Sequence, residues 1–184
     1  CAPGGEEATL VALDKRSGAV VWKSSVPGGD QAAYASTIIA TVAGTKQYVQ
    51  FLGKGLVGVD ATNGTVLWQY AKTAQGSPAN IPTPVASDGY IYSASNRGGA
   101  SLIRIKGDGD SIQLEEMYYS PKLPRAVGGA ILVDGYLYGT TGQAMQCVDF
   151  MTGEIKWSDR SVGAGSFCYV DGRLYVHSEE GEVL

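Results

Sequence analysis

The sequence predicts an all-β fold: a β-propeller of four-stranded antiparallel blades, with about four blades in this chain. Three observations carry that expectation. A gapless repeat ends in Trp, a second set of Asp-Gly anchors recurs at the same spacing, and the composition is rich in turn formers.

The repeat is read directly. LVALDKRSGAVVW ends at Trp22, LVGVDATNGTVLW at Trp68 and MQCVDFMTGEIKW at Trp157. In each, an Asp (Asp14, Asp60, Asp149) stands four positions before a Gly (Gly18, Gly64, Gly153) and eight before the Trp. The Asp-to-Asp steps are 46 and 89 residues, and the second is two steps of about 45 with one unit between them. That unit, LIRIKGDGDSIQLEEMY at 102–118, is degenerate: Lys106 stands in the Asp place, and Met117 or Tyr118 falls near the Trp position.

The second anchors are ASDGYIYSAS around Asp88, LVDGYLYGTT around Asp134, YVDGRLYVHS around Asp171 and a looser version at Ala43 to Tyr48. Asp-Gly between apolar alternating runs signals a tight hairpin, because the turn that matches strand twist needs left-handed residues. Each unit therefore holds two hairpins and four strands. In the Asp-to-Gly loop the carboxylate accepts turn amides and the Gly takes a positive φ. The Trp falls on the outer strand, where its apolar area fills the widening gap between blades and its indole N–H needs a partner.

The predicted blades are 33–71, 81–120 (the degenerate one) and 127–160, with a fourth assembled from 8–24 plus 165–184. The chain enters on a third strand at Thr9 to Leu13 and leaves on another at Glu182 to Leu184. Either the two ends zip into a closed four-bladed ring, or the chain is half of an eight-bladed ring that a homodimer would complete.

Composition agrees and excludes. Among 184 residues, 26 Gly and 11 Tyr suit many short strands and turns, and 44% hydrophobic with 17% charged residues is globular. A net charge of −4, with 14 Lys and Arg scattered along the chain, leaves no basic footprint for nucleic acid. No apolar run approaches the roughly 18 to 20 residues that span a bilayer. Three cysteines, Cys1, Cys147 and Cys168, have no metal-ligand spacing, and an odd number cannot all pair internally. Cys1 is either a lipid-modified N-terminal residue or a truncation point. Cys147 and Cys168 sit on apolar strands and are expected as small buried hydrophobes.

In such a ring, the loops entering the inner strand and following the second strand share one face. They carry Tyr34, Ser36, Lys54, Asn80, Thr83, Asn96, Arg97, Arg125 and Gln143, a polar surface suited to a protein or a small polar ligand. Arg97 in ASNRGGAS and Arg125 in KLPRAVGG stand out, because a guanidinium beside Gly-rich backbone offers forked donors to a carboxylate, although it can equally brace loop carbonyls. GDGDS at Gly107 to Ser111 has two close carboxylates, and its phase makes it a strand turn rather than a calcium loop. The single histidine, His177, alternates with Tyr175 on a strand and has no nucleophile partner in sequence. Glu115, Glu116, Glu179 and Glu180 are expected in solvent. No catalytic or metal-binding residue is assigned.

The Asp-x-x-x-Gly-x-x-x-Trp pattern, as in VALDKRSGAVVW and GVDATNGTVLW, resembles the pyrroloquinoline-quinone-like repeat. That family includes quinoprotein dehydrogenases and BamB-type lipoproteins of outer-membrane barrel assembly. The resemblance implies an exported, periplasmic or cell-envelope protein, and it covers nearly the whole chain. Dehydrogenase members use a vicinal Cys-Cys pair, a Trp sandwiching the quinone and a carboxylate-bound calcium ion. This sequence has no adjacent cysteines, and its repeats account for all three Trp. The expectation is a non-catalytic binding scaffold without cofactor; the alternative is a fragment of a quinone-dependent alcohol or sugar dehydrogenase, with pyrroloquinoline quinone and calcium.

Overall fold

The computed structural model describes residues 1–42, 44–76, 79–107 and 111–184. Ala43, Asp108 and Asp110 therefore lie outside the described residues, and with them both acidic positions of the GDGDS segment and the start of the loosest hairpin anchor. Among the described residues sixteen strands follow in order. β1 (Leu10–Leu13) and β2 (Val20–Ser24) form a two-stranded sheet. β3 (Ile38–Val42), β4 (Thr45–Phe51), β5 (Leu56–Asp60) and β6 (Val66–Tyr70) form the first full blade. β7 (Val85–Ser87), β8 (Tyr90–Ser95), β9 (Gly99–Lys106) and β10 (Gln113–Ser120) form the second. β11 (Ala130–Val133), β12 (Tyr136–Thr140), β13 (Met145–Asp149) and β14 (Ile155–Asp159) form the third, and β15 (Gly165–Val170) with β16 (Arg173–Ser178) forms a last two-stranded sheet. All pairing between these strands is antiparallel between sequence neighbours, and the inner strands β3, β7, β11 and β15 stand beside one another in series. The chain is thus an all-β propeller of three complete blades and two halves.

The two turn chemistries do what their residues require. Asp88, Asp134 and Asp171 take φ of 48°, 49° and 50°, and the Gly after each is also left-handed, so both central positions of these hairpins carry positive φ. In the Asp-to-Gly turns, Asp14 Oδ1 accepts the Ser17 amide at 2.8 Å, Asp60 Oδ1 the Thr62 amide at 2.7 Å and Asp149 Oδ1 the Thr152 amide at 2.9 Å. Gly18, Gly64 and Gly153 each donate their N–H back to the carbonyl of that Asp. The Thr152 amide and hydroxyl hold the Asp149 carboxyl below its ordinary value of 3.8.

A register shift recurs where β1 meets β2, β5 meets β6, β13 meets β14 and β9 meets β10. The residue it leaves unpaired is Val21, Leu67, Lys156 or Met117, immediately before Trp22, Trp68, Trp157 or Tyr118. The bulge re-aims the next side chain. It therefore identifies Tyr118, rather than Met117, as the Trp equivalent of the degenerate blade.

These aromatics join blades. Trp22 Nε1 donates to the Ala61 carbonyl at 3.2 Å, and a Cβ on Gly64 would meet its ring at 2.5 Å. Tyr118 repeats the contact one junction further on: its hydroxyl donates to the Phe150 carbonyl at 2.9 Å, and its ring lies under Gly153. Trp68 instead turns over Gly58 of its own blade and donates to Gln47 Oε1 at 2.7 Å. It shares a core with Val49, Ile91 and Ile103 between the first and second blades. A second core, with Tyr92, Leu102, Leu137 and Val148, joins the second and third.

Trp157 departs from the expectation of an equivalent inter-blade filler, being 43% exposed with Tyr138 as its ring neighbour. No Asp-to-Gly turn of a following blade packs over it among the described residues. Trp157→Ala is accordingly expected to lose about 1 kcal/mol or less in a urea melt, far below a core Trp.

The joined blade expected from 8–24 plus 165–184 does not form within the chain: β1–β2 and β15–β16 are separate sheets. Local segments hold both edges. Cys1 exchanges backbone hydrogen bonds with Val11 on β1, and Leu184 does so with Val176 on β16, next to the His177–Val183 bridge. Cys168 departs from the expected burial. It is exposed among the described residues, whereas Cys147 is buried as expected. Glu115 and Glu116 lie on the outer strand β10 and pair with Lys106 and Lys72, both at 2.6 Å. No helix among the described residues is long and apolar enough to cross a membrane.

Candidate functional site

Antiparallel alternation puts both hairpin turns of a blade at one end. The loops between second and third strands, and the connectors between blades, then share the opposite end. A segment of the connector between β10 and β11 is fixed first. Leu123 is buried in the second core, the Tyr92 hydroxyl donates to the Pro124 carbonyl at 2.7 Å, and the amides of Arg125 and Ala126 both donate to the Thr140 carbonyl at 3.0 Å. Burial pushes the Tyr92 hydroxyl pKa well above its usual range, which keeps it a donor.

Lys122 and Arg125 flank that anchored stretch. Arg125 Nε donates to the Asn96 carbonyl at 3.0 Å and Nη1 to the Pro121 carbonyl, which fixes the guanidinium plane and leaves Nη2 without a partner among the described residues. Across from them lie the loop bearing Gln143, then Gln146 on β13, paired in register with Ser158 on β14, and Arg160 just beyond it. Together they line an open depression of about 600 Å³ between the second and third blades. Three cationic side chains and no carboxylate line it. Arg160 and Gly142 also border a second depression, of about 350 Å³, which Glu179, Glu180 and Glu182 make acidic.

Of the residues singled out in sequence, Asn96, Arg125 and Gln143 therefore meet in one place. The others do not join them. Asn80 is fully buried, its amide donating to the Leu52 and Gly53 carbonyls, which removes it from any ligand surface. Ser36 and Thr83 bond to each other, the Ser36 amide donating to Thr83 Oγ1 at 3.1 Å, and so tie the entrances of the first two blades. Lys54 Nζ closes on the Gly28 and Gly29 carbonyls. Tyr34 is 72% exposed, and Arg97 is exposed with its amide on Gln75. Lys122, Gln146 and Arg160 were not singled out. Lys122 stood three residues from a chosen Arg, but Gln146 and Arg160 lie within and just after repeat strands, and only the blade geometry brings them to the face.

Quinone and calcium are the ligands that the repeat family suggests. Trp22 and Trp68 lie in gaps between blades, Cys147 is buried alone, and no group of three His, Cys, Asp or Glu stands together among the described residues. The cationic depression lacks carboxylates for calcium and a ring to stack on a planar quinone. These residues do not fit that group.

A family model described as outer membrane protein assembly factor BamB matches residues 3–159. Among solved structures, BamB from Moraxella catarrhalis is similar at a TM-score of 0.49 and 16% identity, over 98% of this chain and 70% of that one. The computationally designed Ika4 protein is similar at a TM-score of 0.61 and 15% identity, over 89% of this chain and 94% of that one, which is a likeness of fold. No curated protein matches. With the repeats, the blades and a model match over far more than half of its length, the chain belongs to the BamB-like family of pyrroloquinoline-quinone-like repeat propellers.

Proposed function

We propose that this chain is a non-catalytic scaffold of an exported, cell-envelope protein that docks a partner protein through its loop face. The membership carried by residues 3–159, in a family described as an outer-membrane assembly factor, supports a protein partner and an envelope setting. The loop face supports the mode. Its side chains are fixed by backbone anchors, as Arg125 is by Asn96 and Pro121, and a preorganised polar surface loses little entropy on binding.

The test is a photo-crosslinking residue at Gln143, on the loop face, compared with one at Asn63, on the opposite turn face. Exposed to an envelope extract, the Gln143 variant should give a discrete adduct and the Asn63 variant none. Equal labelling at both positions, or no adduct at Gln143, would overturn the proposal.

The scaffold is also expected to take no quinone. Titration with pyrroloquinoline quinone and calcium should give no saturable quenching of tryptophan fluorescence. One-to-one saturation at micromolar quinone would restore the dehydrogenase reading.

A further inference from the structure

We infer that two copies of this chain associate head to tail, Trp157 of each seating on the Asp14-to-Gly18 turn of the other while β16 of each pairs with the other's β1. The inference goes beyond the scaffold reading and does not depend on it.

The first support is an aromatic without a seat and a seat without an aromatic. At two junctions the outer-strand aromatic of one unit lies against the Gly of the next unit's last turn and donates to the carbonyl just after that turn's Asp. These are Trp22 on Gly64 and the Ala61 carbonyl, and Tyr118 on Gly153 and the Phe150 carbonyl. Trp157 holds the same position on β14, yet it is 43% exposed and its indole N–H has no acceptor among the described residues. Gly18 is the reverse case. Its φ of 72° matches the 78° of Gly64 and the 72° of Gly153, so the turn has the same shape, but a Cβ there would meet nothing within 4 Å. A second copy supplies each with its counterpart, the Lys15 carbonyl standing where Ala61 and Phe150 stand elsewhere.

The second support comes from the strands. The sheet β1–β2 carries an Asp-to-Gly turn and so is the outer half of a unit, whereas β15–β16 carries an Asp-Gly hairpin and is an inner half. The third blade gives the register in which such halves join: YVDGRLYVHS aligns with LVDGYLYGTT and LVALD with MQCVD, and β12 pairs with β13 from Tyr136 on Asp149 to Thr140 on Met145. Carried over, Arg173 of one copy stands beside Asp14 of the other, and His177 beside Leu10. Arg173 and Asp14 are both exposed, and neither is in an ion pair among the described residues, so the register brings opposite charges together.

The faces match as well. Cys168 pairs with Tyr175 and Val170 follows two residues on, so the three share the exposed face of the last hairpin. Leu10, Leu13, Ile39 and Tyr48 line an open groove of about 290 Å³ that such a face would fill. The backbone exchanges of Cys1 with Val11 and of Leu184 with Val176 are short, and each gives way to a pairing of five residues in the register of the third blade. Because each copy offers one aromatic and one seat, two contacts close the association and leave nothing for a third copy.

The full chain, kept reduced so that no disulfide links copies, is followed by sedimentation velocity from submicromolar to millimolar concentration, with nitrogen-15 NMR of its three Trp indoles. Expected is a monomer–dimer equilibrium that stops at two copies. The Trp157 indole N–H should shift with concentration and exchange more slowly with solvent, while Trp68, buried within the chain, keeps its resonance. Trp157→Ala should weaken the dimer by about tenfold or more, as loss of an interface Trp does. Trp157→Tyr should weaken it by about threefold or less, since Tyr118 fills the same place at another junction. Val170→Glu should weaken it by about tenfold, because it puts a charge into the apolar groove. Trp157 and Val170 are exposed in the single chain, so in dilute solution, where it is monomeric, both Ala and Glu variants should melt close to the parent.

A chain that stays monomeric at millimolar concentration would overturn the inference. So would a dimer that keeps its affinity in Trp157→Ala and Val170→Glu, a dimer in which the Trp157 indole does not move, or growth beyond two copies.

Discussion

Trp68→Ala is expected to destabilise the propeller by about 3 to 5 kcal/mol, the range for emptying a packed aromatic site. Trp68 is 6% exposed and sits between the first and second blades against Val49, Ile91 and Ile103. The deletion also strips a donor. Gln47 Oε1 accepts the indole N–H at 2.7 Å while the Nε2 of the same buried amide has no partner among the described residues, so the variant leaves the whole amide unsatisfied. A urea melt showing less than about 1 kcal/mol of loss would show that Trp68 does not bind the two blades together. Trp68→Phe should fall between the parent and Trp68→Ala, because it keeps most of the volume and loses the hydrogen bond.

The second large effect is expected at Gly128, and there it is local. A Cβ at this position would stand 1.7 Å from the Gly165 carbonyl oxygen and 3.0 Å from Ser166 Cα, and its nearest neighbours are backbone atoms rather than the end of a flexible side chain. Gly128 leads into β11 and Gly165 opens β15, so the close approach seats the last hairpin against the third blade. Gly128→Ala should pry β15–β16 away, at about 1 to 3 kcal/mol of overpacking. Hydrogen exchange is the readout. Amides of 165–178 should lose protection while those of 38–159 keep theirs. Unchanged protection of β15 and β16 would place the contact that holds the hairpin elsewhere.

Much of the fold was legible because single residues carry strong backbone demands. Asp88-Gly89, Asp134-Gly135 and Asp171-Gly172 mark hairpins that need left-handed backbone, and Asp14, Asp60 and Asp149 cap their own turns. The choice between Met117 and Tyr118 was not legible, because it depends on a bulge, a property of pairing register rather than of pattern. The chain ends were expected either to pair with each other or to be completed by a second copy, and within the chain they do not pair. Strand phase says which segments are able to pair, but the nearby segments at Cys1 and Glu182–Leu184 reach the same edges first. At the site, loop placement found Asn96, Arg125 and Gln143. Asn80 misled, since an Asn that braces carbonyls and an Asn that binds a ligand look alike in sequence. Arg160 was out of reach, because only the topology sets it near Lys122.

The contact of Trp22 on Ala61, repeated by Tyr118 on Phe150, runs one way along the chain: an aromatic on the outer strand of one unit reaches a carbonyl in the last turn of the next. Such a coupling needs only adjacent partners, as in other repeat proteins. A unit can then be duplicated or excised in a lineage so long as each new junction is packed by an aromatic, whether it donates across the gap as Trp22 and Tyr118 do or within its own blade as Trp68 does. Tyr118 shows that the knob itself is replaceable, provided the substitute keeps a flat ring and one proton to donate.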